Sequence, residues 1–64
     1  MDAKKILASM VAKVLEDGHS VVETVSVSRN GVSVQMCEGL IRYFVDGDEV
    51  SALDAFDHLD DRIN

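Results

Sequence analysis

The chain contains no proline and no tryptophan, and Cys37 is its only cysteine. A single cysteine cannot form a disulfide within one chain, and the two histidines, His19 and His58, do not complete a zinc-binding spacing with it. Without proline, low-complexity runs or internal repeats there is no recognisable linker, so we expect residues 1–64 to form a single domain. A domain of this size buries only about 60% of the surface of its unfolded chain, so self-association would add stability.

Long hydrophobic runs are also missing. The apolar stretches are a few residues long, far short of the roughly 20 residues that a membrane-spanning helix needs. The N-terminus has no hydrophobic core of the kind found in signal peptides. We therefore expect a soluble protein without a membrane partner, and the lone thiol favours a reducing, cytoplasmic location.

Basic residues are scarce, with six Lys and Arg against twelve Asp and Glu and a net charge of −6. Affinity for nucleic acid depends on lysine and arginine neutralising phosphates, so we expect no direct nucleic-acid ligand. The hydrophobic fraction of 47% is nevertheless typical of a folded chain. The composition indicates a small acidic folded protein.

The N-terminal part of the chain has the periodicity of an amphipathic helix. Between Asp2 and Asp17, apolar residues recur at helical spacing at Ile6, Leu7, Met10, Val11, Val14 and Leu15. Asp2 can cap the start of this helix and Gly18 can end it.

The following segment, VVETVSVSRNGVSVQM, alternates apolar and polar residues around Asn30-Gly31. This pair favours a two-residue type I′ hairpin turn because both residues tolerate positive φ. A second tight turn at Glu38-Gly39 returns residues 40–45 as a third strand. Both turns place the apolar residues on the same face of the sheet, with the predicted neighbours Val27 and Val34, Val25 and Met36, Met36 and Ile41, Val34 and Tyr43, and Val32 and Val45.

A last helix follows the turn that we place at Asp46-Gly47-Asp48. Ser51 can cap this helix, with Asp54 completing an approximate capping box. The predicted fold is α+β in the order α-β-β-β-α, a three-stranded antiparallel meander packed by helices. This order is similar to that of double-stranded RNA-binding domains, but those domains bind phosphates through lysines where this chain reads DGDEVSALD, so the resemblance is limited to topology.

The last helix is predicted to have one apolar and one acidic face. At about 100° per residue, the apolar face collects Leu53, Phe56, Leu59 and Ile63, and the carboxylates gather opposite or on the flank. Together with the acids of the preceding turn, they form a candidate partner-binding surface of Asp46, Asp48, Glu49, Asp54, Asp57, Asp60 and Asp61.

Two interpretations of these carboxylates remain open. They can simply solvate a surface helix. Aspartate is a weak helix former, however, and carboxylates three or four residues apart repel one another. The preferred hypothesis is therefore a non-enzymatic regulator or inhibitor that docks its acidic helix on a basic protein surface.

A stronger version of this hypothesis is mimicry of nucleic-acid phosphates, with a nucleic-acid-binding protein as the partner. Small phage-type inhibitors, including some anti-restriction and anti-CRISPR proteins, act in this way. This chain resembles them in size and acidity and shares no motif with them.

The second face of the predicted sheet supports an alternative function. Its first two strands carry polar residues there, but the third strand carries Leu40 and Phe44. Apolar residues on such a face indicate cover, by the last helix or by a second copy. The alternative is a structural or assembly component that forms a homodimer or larger oligomer through these two residues.

No residue pattern indicates catalysis. The chain has no glycine-rich phosphate loop and no Ser-His-Asp arrangement, and one straight helix offers too few oxygen ligands for a hard cation. We therefore expect no enzyme activity, no metal and no cofactor.

Overall fold

The computed structural model describes residues 2–18 and 24–63. The elements are α1 (Ala3–Asp17), β1 (Val25–Arg29), β2 (Val32–Cys37), β3 (Leu40–Val45), β4 (Asp48–Val50) and α2 (Ala52–Ile63). The strands form one antiparallel sheet in the order β1-β2-β3-β4, which confirms the predicted α+β fold. Residues 19–23, which include His19 and the start of the alternating segment, lie outside the described residues.

Three two-residue turns of the same type set the register of the sheet. Their central residues all have positive φ: Asn30 53° and Gly31 81°, Glu38 54° and Gly39 78°, and Asp46 52° and Gly47 93°. Positive φ at both positions defines the type I′ turn, whose twist matches that of the flanking strands. The pairing of β1 with β2 and of β2 with β3 is the predicted one, with Val27 opposite Val34 and Met36 opposite Ile41.

The third turn leads into a fourth strand, β4, which was not predicted from the sequence. Asp48 and Val50 of β4 pair with Val45 and Tyr43 of β3. β4 has only three residues, two of them acidic, so it is too short and too polar to show an alternation of apolar and polar residues. The Asp46-Gly47 pair nevertheless has the same turn chemistry as the other two turns, and this similarity was the available signal.

Both helices pack on the same face of the sheet. The buried residues of α1 are Ala3, Met10 and Val14, those of α2 are Ala55 and Leu59, and those of the sheet are Val32, Val34 and Val45. Because side chains alternate along a strand, the second face, which we call the open face, carries Ser26, Ser28, Ser33, Gln35, Cys37, Leu40, Arg42, Phe44 and Glu49. Neither helix covers the open face.

The predicted helix caps are present. The Asp2 carboxylate accepts a hydrogen bond from the Lys4 backbone N–H at 3.0 Å, and the Gly18 N–H donates to the Val14 carbonyl at 2.8 Å. At α2, the Ser51 hydroxyl accepts from the Asp54 N–H at 3.1 Å. These bonds satisfy backbone groups that have no partner inside the helices.

The buried side of α2 differs from the prediction at one residue, Leu53. Leu59 is fully buried and Phe56 and Ile63 are half-buried, but Leu53 is 69% exposed. At about 100° per residue, Leu53 lies about 120° from Leu59, beyond the margin of the buried stripe and next to Asp60. Assigning Leu53 to the apolar face was therefore wrong.

Candidate functional site

The outer surface of α2 combines carboxylates with an exposed leucine. Asp54, Asp57 and Asp61 are exposed, and Asp60 is half-buried on the flank. Leu53 lies one helical turn before Asp57, so their side chains are neighbours on the helix surface. Asp60 lies two turns after Leu53 and points in nearly the same direction. We call Leu53, Asp54, Asp57, Asp60 and Asp61 the acidic face. It differs from a purely solvated helix face because it includes an apolar group.

Asp46 differs from the carboxylates of the acidic face because it is bound to Arg62. The Arg62 guanidinium donates two hydrogen bonds to the Asp46 carboxylate, from Nη1 to Oδ1 at 2.9 Å and from Nη2 to Oδ2 at 2.7 Å. Nη1 also donates to the Asn30 carbonyl at 2.8 Å, and the Asp46 N–H donates to the Gly31 carbonyl at 2.9 Å. These contacts, which we call the Arg62 clamp, tie the last turn of α2 to the first and third hairpin turns.

The Arg62 clamp shifts the ionisation of both of its partners. The hydrogen bond from Arg62 lowers the pKa of the Asp46 carboxyl below its ordinary value, although partial desolvation opposes this shift. The same hydrogen bond raises the pKa of Arg62. Because the charge of Asp46 is balanced within the protein, it adds little to a surface that attracts a basic partner.

The two acids of β4 lie on opposite sides of the sheet. Asp48 pairs with the core residue Val45, so its side chain points to the side that carries the helices. Glu49 lies on the open face, where its Oε1 is 3.9 Å from Nη1 of Arg42. The seven predicted acids therefore have different surroundings. Four lie on α2, Asp46 is bound to Arg62, Asp48 points to the side of the sheet that carries the helices, and Glu49 points to the open face.

The open face carries the two residues that we predicted as an oligomer interface. Leu40 is 58% exposed and Phe44 is half-buried. Their Cα atoms are four residues apart on β3, a separation of about 13 Å, and Arg42 lies between them on the same face. Their apolar surfaces are thus interrupted by a charged pair, and α2 does not cover them because it packs on the opposite side of the sheet.

A groove between α1 and β1 was not predicted. It has a volume of about 440 Å³, and Ile6, Met10 and Val27 supply its apolar side chains. Lys5, Ser9 and Lys13 line it from α1, and Ser28 and Arg29 line it from β1. The recurrence of polar residues every four positions along α1 was visible in the sequence. Only the docking of α1 beside β1 shows that these residues face a groove.

Two other kinds of site are absent from the part of the chain that the structure describes. Within residues 2–18 and 24–63, no three His, Cys, Asp or Glu side chains are grouped so that they could hold a metal ion. Neither of the helices found there is long and apolar enough to cross a membrane.

Comparison with protein-family models, with curated proteins and with solved structures finds no match to this chain. The basis for a functional proposal is therefore the geometry of the acidic face, the open face and the groove.

Proposed function

We propose that this protein is a small non-enzymatic regulator or inhibitor that docks its acidic face on a basic surface of another protein. The observation that carries the proposal is the position of Leu53, which is 69% exposed, is a neighbour of Asp57 on α2 and points in nearly the same direction as Asp60. We place this activity in the cytoplasm, where the Cys37 thiol stays reduced.

An exposed leucine among carboxylates provides both kinds of group that a specific protein interface uses. Protein interfaces combine an apolar contact that loses its water with a polar rim that sets orientation. Leu53 supplies the apolar contact on the acidic face. The carboxylates steer a cationic partner during encounter and hold it in register. A helix face whose carboxylates only kept the protein soluble would not need an exposed leucine.

The spacing of the charges supports a nucleic-acid-binding protein as the partner. Asp54, Asp57, Asp60 and Asp61 span seven residue steps, or about 10 Å of helix axis at about 1.5 Å per residue. The three intervals between these four charges are about 4.5, 4.5 and 1.5 Å along the axis. Their mean of about 3.5 Å is close to the roughly 3.4 Å per phosphate of one strand of duplex DNA. In this form of the proposal, α2 occupies a groove that otherwise binds phosphates.

The test is affinity capture from native host extract at low salt with immobilised protein. We expect the triple variant Asp54→Asn/Asp57→Asn/Asp61→Asn and the single variant Leu53→Ser each to lose the partner. The matched control Glu16→Gln/Asp17→Asn/Glu38→Gln removes the same number of charges from exposed positions outside the acidic face and should retain it. Capture that survives both acidic-face variants, or that is lost equally in the control, contradicts the proposal.

The phosphate-mimicry form has a separate readout. The captured partner should be eluted by about 0.5 M NaCl, because screening shortens the range of charge attraction. It should also be displaced by an unlabelled DNA duplex. If salt displaces the partner but a DNA duplex or an RNA competitor does not, the acidic face docks on a basic protein surface without mimicking nucleic-acid phosphates.

Homo-oligomerisation through the open face is a second candidate function. It is favoured by Leu40, which is 58% exposed on a sheet face that neither helix covers. It predicts a mass that rises with concentration in sedimentation equilibrium and a monomer for Leu40→Ser or Phe44→Asp. Leu15→Ser, at a residue of α1 that is 52% exposed, is the control and should leave the mass unchanged. A monomer at every concentration would exclude this candidate.

A further inference from the structure

The groove between α1 and β1 concentrates positive charge in an acidic protein. Three of the six Lys and Arg residues, Lys5, Lys13 and Arg29, line it, and none of its lining residues is acidic. Lys13 also has an ion pair with Asp17 at 3.6 Å, but both side chains are about half exposed, and such pairs are weak and exchange easily. The lining of this groove therefore favours an occupant that carries negative charge and competes for these cations.

The apolar lining of the groove requires a second property of the occupant. Ile6 and Val27 are half-buried and supply most of the apolar surface of the groove, and Met10 lies at its base with 4% of its surface exposed. A volume of about 440 Å³ lies within the range of roughly 300–1,000 Å³ that is usual for binding sites. The occupant should place at least one apolar group between its negative charges.

The strand beside the groove can bind an extended chain. β1 is at the edge of the sheet, and no described strand pairs with its outer side. In a two-residue hairpin the residues that flank the turn, here Arg29 and Val32, exchange both hydrogen bonds, and bonded positions then alternate along the strand. Val25, Val27 and Arg29 therefore bond to β2, and the peptide N–H and C=O groups of Ser26 and Ser28 point outward. Outward peptide groups of this kind accept an added strand.

The spacing of the cations matches the repeat of an extended peptide. Lys5 and Lys13 are eight residues apart on α1, or about 12 Å. In an extended chain, side chains four residues apart lie on the same side and are separated by about 13 Å. Gly18 lies against Met36, which is opposite Val25, so the end of α1 meets the start of β1 and Lys5 lies toward Arg29.

We propose that this groove binds an extended segment of a partner protein with the pattern acidic-x-apolar-x-acidic. One acidic side chain contacts Lys5 and Arg29, the apolar side chain enters between Ile6, Met10 and Val27, and the second acidic side chain contacts Lys13. The main chain of the segment pairs with Ser26 and Ser28 and extends the sheet. This site is separate from the acidic face and takes a ligand of the opposite charge, so it does not depend on the proposed function.

A synthetic peptide tests the proposal directly. The probe is a fluorescein-labelled peptide with the core Thr-Glu-Thr-Val-Thr-Glu-Thr, measured by fluorescence anisotropy with the intact protein at about 0.15 M salt. At this ionic strength the Debye length is about 8 Å, so screening limits the repulsion between the peptide and the acidic face. We expect Lys5→Gln and Lys13→Gln each to weaken binding about twofold to fivefold, and Lys4→Gln, outside the groove on the same helix, to leave binding unchanged.

Two peptides with methylated backbone nitrogens distinguish an added strand from simple charge attraction. Methylation of one alternating set of N–H groups should weaken binding about tenfold, because that set bonds to β1, and methylation of the other set should be tolerated. Amide exchange at Ser26 and Ser28 should slow when the unmodified peptide binds. Equal effects of both methylations, or loss in Lys4→Gln equal to that in Lys5→Gln, would overturn the proposal.

A small anionic amphiphile is the competing occupant. Decanoate carries one carboxylate and an apolar chain but no peptide groups. If decanoate displaces the peptide while neither methylated set differs from the unmodified peptide, the groove binds amphiphiles and the peptide proposal is wrong. If decanoate fails to displace the peptide, an amphiphile site is excluded.

Discussion

Arg62 connects parts of the chain that are far apart in sequence. Its side chain binds the carbonyl of Asn30, which is 32 residues away, and the carboxylate of Asp46, which is 16 residues away. The guanidinium suits this position because its rigid fork can bind a carboxylate with two parallel hydrogen bonds and still donate a third. The clamp explains why an acid of the third turn, predicted as a docking residue, is used inside the fold.

The clamp should make stability depend on pH. Arg62 lowers the pKa of Asp46 in the folded state. As the pH falls past the ordinary aspartate pKa of about 3.9, the unfolded chain therefore binds more protons than the folded chain. The stabilisation is therefore fully present above about pH 4 and is lost as the pH falls through the lowered pKa. In urea unfolding, Arg62→Gln should be less stable than the natural protein at pH 7, and the difference should shrink between pH 4 and pH 2.5.

Arg42→Gln is the control for this experiment. The Arg42 to Glu49 pair is 3.9 Å long and both side chains are more than half exposed, so its removal should have little effect at any pH. A difference between Arg62→Gln and the natural protein that stays constant down to pH 2.5 would show that the charge of Asp46 does not contribute.

At the scale of the elements, α2 presents two leucines with opposite roles. Leu59 is fully buried against the sheet and α1, whereas Leu53 is 69% exposed. Leu59→Ala should lower the free energy of unfolding by about 2–5 kcal/mol because it removes buried methyl groups and leaves a cavity. Leu53→Ala should change it by less than about 0.5 kcal/mol, since an exposed side chain loses little on truncation.

Urea unfolding at pH 7 measures the stability of Leu59→Ala and of Leu53→Ala. Affinity capture measures whether Leu53 contributes to partner binding. The proposed function requires that Leu53→Ala reduce partner capture although the protein remains folded. A marked loss of stability in Leu53→Ala would instead place this side chain in the core and remove the apolar anchor from the acidic face.

The sheet was predictable from the sequence to the extent that its turns were recognisable. Asn30-Gly31 and Glu38-Gly39 each fix the register of the strands that they join. Slipping either pair of strands by one residue would turn the buried valines to solvent, so β1, β2 and β3 pair as predicted. β4 was not predicted because the sequence signal for a strand is an alternation of apolar and polar residues, and three residues are too few to show it. Its turn, Asp46-Gly47, is of the same type as the others.

The candidate surfaces were less predictable because they depend on which element lies opposite each side chain. A helical wheel gives the direction in which Leu53 points, but it does not show that the buried stripe of α2 stops short of that direction. Likewise, the wheel places Lys5 and Lys13 on one edge of α1, and only the docking of that edge beside Arg29 forms the groove. Glu49 was grouped with the α2 acids by proximity in sequence, although the alternation of β4 turns it to the open face.

At the scale of the whole molecule, the charges are segregated on a small body. The Cα atoms span 35 × 21 × 16 Å, with α1 and the groove at the β1 edge and α2 packed toward β2 and β3. The Debye length at physiological salt is about 8 Å, shorter than each of these dimensions. A partner at one surface therefore experiences mainly the charges of that surface, and the acidic face and the groove can select partners of opposite sign.

The concentration of carboxylates on α2 has a cost in stability that a functional role would explain. Asp57 has like charges three residues before it, at Asp54, and three and four residues after it, at Asp60 and Asp61. Each such pair destabilises a helix by about 0.2–0.5 kcal/mol, so Asp57→Asn should raise the free energy of unfolding by about that amount per pair in low-salt urea unfolding. The gain should vanish in 1 M NaCl, where the Debye length is about 3 Å.

The control for this prediction is Asp17→Asn. It removes an attraction to Lys13, 3.6 Å away, so it should not raise stability. If Asp57→Asn stabilises the fold and also weakens partner capture, the carboxylates are retained for binding at the expense of stability, as the trade-off between stability and function predicts. If instead it stabilises the fold and leaves capture intact, the charge of Asp57 serves solubility alone and the proposed interface must exclude it.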